Sequence, residues 1–190
     1  MQTKETGNSN LMTIEIAGVE RIPEIMDIEE QTWLSTYPDE LTGITKKDVA
    51  ARFSLDFKDQ RAGEIEEEMK SGNHSYRVLV VDGKVIGYSH LLKEANLNDF
   101  VELYIFKEYQ GQGHGGLMMR DGLRFLGKNG RPIQLEVATY NTRAKTFYEH
   151  YGFKENLELK QAEGEDWNVL PSGKRIPVVF MELKGEEKIT

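Results

Sequence analysis

Four glycines crowd into residues 111–116, in the run Gln110-Gly111-Gln112-Gly113-His114-Gly115-Gly116, between an apolar segment ending at Phe106 and an amphipathic one. Glycine is needed where a side chain would block close backbone approach or where φ must be positive. A strand feeding such a turn and then a helix presents free backbone N–H groups at the positive end of the helix dipole, a geometry suited to phosphate. A flexible turn accounts for one or two glycines, not for four directly ahead of a helix. That helix buries Met119, Leu123 and Leu126 and turns Arg120, Asp121, Arg124 and Lys128 elsewhere.

The rest of the chain organises around this element. Met12 to Ala17 alternates as a first strand, and Glu20 to about Trp33 carries Ile22, Ile25 and Met26 at helical spacing until Tyr37-Pro38-Asp39 breaks the pattern. Two further helices are predicted over Lys46 to Phe57 and Asp59 to Met69. Tyr76 to Val81 and Val85 to Leu92 flank Asp82-Gly83, the composition of a type I′ hairpin. A strand over about Asp99 to Phe106 enters the glycine run, and the helix beyond is expected to stop near Lys128-Asn129-Gly130. Ile133 to Thr139 is the next strand. Asn141 or Thr142 then caps a short helix burying Ala144, Phe147, Tyr148 and Tyr151, ended by Gly152. Phe153 to Lys160 and Ile176 to Leu183 close the sheet. With no repeat and no linker, residues 11–184 read as one domain between polar tails 1–10 and 185–190.

Composition excludes several classes. The formal charge of −8 argues against nonspecific nucleic-acid binding, which relies on Lys and Arg, and favours cationic small molecules or basic peptides. No apolar stretch approaches the roughly 20 residues of a membrane span, and the polar first ten residues lack the apolar core of a signal peptide. The absence of cysteine removes disulfides, thiolate metal sites and a cysteine nucleophile. A cytoplasmic protein is the expectation. The four histidines show no metal-ligand spacing, so no metal is expected.

Two nucleotide motifs compete for the glycines. Gly111, Gly113 and Gly116 fit G-x-G-x-x-G, with Glu136 about 20 residues further on. The Rossmann acid belongs at a strand end, however, whereas Glu136 falls mid-strand, and too little chain follows for further βα units. The P-loop near-match from Gly122 to Asn129 lacks the Ser or Thr for Mg²⁺. The run Gln110 to Gly115 instead resembles the Q/R-x-x-G-x-G/A signature of the GNAT superfamily of acyl-CoA N-acyltransferases, with Leu103-Tyr104-Ile105 similar to its pantetheine-pairing strand. Asn141 through Ala144, Phe147-Tyr148-Glu149 and Gly152-Phe153 are similar to the family's second segment. The resemblance is clear over about Tyr76 to Phe153. Lys107 stands where the family often has proline.

The resemblance implies an α/β (α+β) single domain, its mixed and mostly antiparallel sheet of six to seven strands flanked by about four helices. It implies acetyl-CoA as co-substrate, direct transfer to an amine in a ternary complex, and no metal. Leu103, Tyr104 and Ile105 would meet the pantetheine and acetyl carbonyl. Gln110, Gly111, Gln112, Gly113, His114, Gly115 and Gly116 would hold the pyrophosphate, and Asn141 the pantetheine arm. Tyr148 matches the family's general acid toward the thiolate, its ordinary pKa of about 10 keeping it protonated. Glu136 leads Glu102 and Asp99 as general base, with surface charge the competing role for each. Arg120, Arg143 and Lys145 are candidates for the adenosine 3′-phosphate. Trp33 and Tyr37, in a segment similar to that of polyamine acetyltransferases, join Glu102 as acceptor contacts, a core role being their alternative. A polyamine or other small cationic amine is the first acceptor, a peptide N-terminus the second. An acyl-CoA sensor without chemistry is the alternative function, and a homodimer is the family habit.

Overall fold

The computed structural model describes residues 11–127, 130–159 and 166–185. The tail predicted over 1–10, the tail predicted over 185–190 apart from Gly185, the Lys128-Asn129 cap and the strand end at Lys160 lie outside them. Among the described residues, seven strands form one sheet: β1 (Met12–Ile16), β2 (His74–Val81), β3 (Lys84–Lys93), β4 (Asn98–Ile105), β5 (Ile133–Ala138), β6 (Lys154–Glu155) and β7 (Val178–Leu183). Their spatial order is β1-β2-β3-β4-β5-β7-β6. Every pairing is antiparallel except β4 with β5. The flanking helices are α1 (Ile22–Thr36), α2 (Lys46–Ala50), α3 (Leu55–Lys70), α4 (His114–Leu126) and α5 (Thr142–His150). No helix among the described residues is long and apolar enough to cross a membrane.

Local chemistry sets these boundaries. Asp82 and Gly83 take φ of 49° and 82°, the double positive turn that their composition specifies between β2 and β3. The helix break predicted between Phe57 and Asp59 lies earlier, at Ser54. That residue is extended, and its side chain accepts the Phe57 N–H at 3.3 Å, so α3 starts at Leu55. The interval predicted as one helix from Lys46 therefore holds α2, a 3₁₀ turn over Ala51–Phe53 and the first turn of α3, giving five helices. The strand predicted from Phe153 shrinks to β6. Beyond it the Asn156 Oδ1 accepts the Glu158 N–H at 3.0 Å, a side-chain turn that replaces ladder bonds.

The sheet is covered on both faces. Ile25, Met26 and Ile28 of α1 and Ile65 of α3 pack on Tyr76, Val78 and Tyr88. On the opposite face α4 buries Met119, Leu123 and Leu126 against Leu91, Phe100 and Leu135, each such side chain contributing about 1.5–3 kcal/mol. A Cβ on Gly122 would lie 2.5 Å from the Phe100 ring, so α4 approaches β4 as closely as bare backbone allows. This contact holds the middle of α4 against the first half of β4.

Candidate active site

The central strands part company. β4 and β5 are paired only at Asn98↔Ile133 and Asp99↔Gln134. In β4, Val101 is an extra residue between the pairs His90↔Glu102 and Leu91↔Phe100, a bulge that increases local twist. Beyond it the strands diverge, and a cleft of about 690 Å³ opens between their walls, lined by Leu103, Tyr104 and Ile105 on one side and Glu136, Val137 and Ala138 on the other.

One end of the cleft meets the start of α4. Gly111 and Gly113 take φ of 78° and 87°, a conformation that side chains resist. No side chain caps α4, so the N–H groups of its first turn, which have no helical acceptor, stay available. Gly113, Gly115 and Gly116 line the cleft there, joined by the cations Lys107, Arg120 and Arg143. Gln110 is a strut, its amide donating to the Ile105 carbonyl at 2.9 Å and accepting from Arg143 at 3.0 Å. Gln112 and His114 turn their side chains to the Glu108 and Tyr109 carbonyls, and neither of these two predicted residues lines the cleft. Of the three cations predicted for a phosphate, Lys145 is instead spent on Glu155 at 2.5 Å. Lys107, unassigned from sequence, lines the cleft beside Arg120 and Arg143. Valine at Gly113 is expected to weaken coenzyme A binding by at least about tenfold, the value of one lost charged hydrogen bond, in a calorimetric titration; unchanged affinity would remove the cradle from the site.

The other walls come from α5 and α1. Asn141 lines the cleft and caps α5, its Oδ1 accepting the Ala144 N–H at 3.1 Å. Tyr148 lines it between Phe147 and Phe153, and burial pushes its hydroxyl up to about 12. Tyr37 and Tyr104 place their hydroxyls 3.1 Å apart at the α1 end. Trp33 does not reach this space. It is 2% exposed, packed with Tyr37, Phe53 and Trp167. Asp99 also stays out, accepting from Gln134 at 2.9 Å at the paired foot of the strands.

The two remaining carboxylates face the cleft from opposite strands. Glu136 accepts the Trp167 indole N–H at 3.1 Å. Glu102 accepts from Tyr88 at 3.1 Å and pairs with Arg61 at 3.5 Å. Burial alone would raise its carboxyl, but Arg61, His90 and Tyr88 together hold it below the ordinary value. Behind it, burial and the Glu102 charge push Glu29 up to about 8, with Arg61 offsetting part of the rise. The Arg61 guanidinium is thus shared between Glu102, whose charged form it favours, and Glu29, whose carboxyl burial drives toward the neutral form. Sequence reading missed Glu29, Arg61 and His90. A signal for the first existed, since Glu29 falls on the stripe of Ile22, Ile25, Met26 and Trp33, where a charge is out of place.

Residues 72–155 match the family model described as an acetyltransferase (GNAT) domain. Over that segment the chain is similar to GNAT acetyltransferase domains. The matched segment runs from the start of β2 to the end of β6, so it contains the hairpin, the splayed strands, the anion cradle and Tyr148. No curated protein matches in sequence. Among solved structures, the PaiA N-acetyltransferase of Thermoplasma acidophilum, in complex with coenzyme A, is 19% identical with a TM-score of 0.63, covering 92% of this chain and 99% of its own. The Salmonella typhimurium protein yncA with acetyl-CoA gives 17%, 0.67, 95% and 97%. A variant of the spermidine N-acetyltransferase of Vibrio cholerae gives 16%, 0.62, 90% and 92%. At these identities the likeness is one of fold, and it covers the α1–α3 region that the family model does not match.

Proposed function

We propose that this GNAT domain transfers an acetyl group from acetyl-CoA to the primary amine of a small cationic acceptor, by direct attack in a ternary complex. The observation that carries the reading is the cleft between β4 and β5, which ends on an uncapped helix N-terminus flanked by Lys107, Arg120 and Arg143. A flexible thioester arm fits the splay and a polyanion fits the end. The donor supplies the activated acetyl group; the chain supplies everything else. Backbone N–H groups around Tyr104 and Ile105 hold the extended arm. Tyr148, kept protonated by burial, donates to the departing sulfur. Glu136 takes the amine proton, directly or through one water, because the two Glu102 oxygens are engaged by Arg61 and Tyr88 and its carboxyl is held below the ordinary value. Glu102 and Tyr37 then favour a cationic acceptor at the α1 end.

The lack of a helix able to cross a membrane among the described residues accords with a cytoplasmic setting, which belongs to the same proposal. A thiol-release assay across polyamines, aminoglycosides, amino acids and short peptides tests the reaction, with turnover expected for the cationic amines. Turnover of a peptide N-terminus alone would move the acceptor assignment to proteins. Thermal stabilisation by coenzyme A without turnover of any acceptor would make the chain an acyl-CoA sensor. Stabilisation by NAD in place of coenzyme A would overturn the donor site as well.

A further inference from the structure

On the face of the sheet covered by α1 and α3, three side chains that are far apart in sequence converge. Glu68 sits in the last turn of α3, His74 opens β2, and His90 lies on β3. Their donor atoms lie within 4.8 Å of one another. We propose that Glu68, His74 and His90 form a site for a divalent transition ion of the Zn²⁺ type, separate from the acetyl-transfer chemistry, which needs no metal.

Two imidazoles and one carboxylate are a donor set suited to tetrahedral Zn²⁺, with water as the fourth ligand. The ligands differ in freedom. His90 is 2% exposed and stacked on Tyr76 with ring centroids 4.1 Å apart, so its position is fixed. His74 and Glu68 are partly exposed and can adjust. At present the His74 Nδ1 and His90 Nε2 share a hydrogen bond of 2.7 Å. Tetrahedral ligands at zinc distances stand roughly 3.3 Å apart, so small rotations of the two adjustable ligands, His74 and Glu68, would set the needed spacing. Glu68 uses Oε2 for Tyr76 and Arg61, which leaves Oε1 for the ion.

The orientation of His90 supplies an independent argument. Its Nδ1 is buried without a hydrogen-bond partner and stands 3.6 Å from Glu102 Oε2. A metal-bound histidine characteristically turns its second nitrogen toward a carboxylate, which fixes the tautomer and strengthens the ligand. A small closure on metal binding would complete that hydrogen bond and satisfy the orphan atom. Because Glu102 also lines the cleft, the ion would sit one residue removed from the acceptor end.

The test uses the full chain without an oligohistidine tag. Zn²⁺ is titrated in competition with a chromophoric chelator, and Co²⁺ is added as a spectroscopic probe. One ion per chain and the intense visible absorption of tetrahedral Co²⁺ are expected. His74→Gln and Glu68→Gln, both at partly exposed positions, should each weaken Zn²⁺ binding by at least about tenfold, with folding verified by the unchanged melting temperature of the metal-free proteins. Failure to take up one ion, or uptake that is the same in both variants, would overturn the site and leave a proton-sharing histidine pair. Neither readout depends on acetyl transfer, so the two proposals fail separately.

Discussion

Replacing Tyr148 with phenylalanine is expected to lower kcat by about 100-fold or more, the usual contribution of a positioned general acid, while the apparent affinity for acetyl-CoA changes by less than about threefold. The substitution removes one oxygen and leaves the ring between Phe147 and Phe153, so packing is retained. Loss confined to kcat is the signature of an interaction made only in the transition state. The pH profile gives a second check. With the hydroxyl pushed up to about 12, the donor is protonated below that value and is lost only as pH rises through it. The wild-type rate should therefore show no basic limb from this residue between pH 7 and 10. A limb near the ordinary tyrosine value of about 10, or an unchanged rate in the phenylalanine variant, would take Tyr148 out of the acid role.

The largest stability effect is expected at Arg61. Its guanidinium, with a side chain only 13% exposed, lies between Glu29 at 3.8 Å and Glu102 at 3.5 Å. Arg61→Met preserves most of the apolar volume but leaves the buried Glu102 charge without its cation. Breaking a buried pair on one side costs about 3–5 kcal/mol, which lowers the melting temperature by roughly 10 °C for a chain of this size. If the unpaired charge is the cause, the double variant Arg61→Met with Glu102→Gln should regain a large part of that loss. A double variant no more stable than the single one would assign the effect to lost packing instead, and a melting point unchanged in Arg61→Met would remove the network from the account of stability.

What the sequence reveals follows from how locally each feature is encoded. The Asp82-Gly83 hairpin and the glycine cradle are short-range, since positive φ and uncapped N–H groups are written into a few consecutive residues. Tyr148 and Asn141 were accessible for the same reason, lying in one nine-residue helix and at its cap. The Ser54 break was missed because a serine cap competes with a helical pattern running through it. Trp33 was given to the acceptor because an aromatic near a helix end reads the same whether it meets ligand or core; only the crossing of Phe53 and Trp167 over its ring decides for the core. The Glu29–Arg61–Glu102 set and the Glu68–His74–His90 cluster assemble across strands and helices at separations that no local spacing registers.

The divergence of β4 from β5 has a consequence for how the molecule spends its backbone. A sheet normally exposes unpaired N–H and C=O groups only at its outer borders; here a border of that kind lies in the middle, between strands that meet only at their feet. An extended ligand arm entering this gap would stand in for a missing strand and take up main-chain hydrogen bonds on arrival. Recognition of that arm then depends on its shape and amide spacing more than on side-chain identity along the walls.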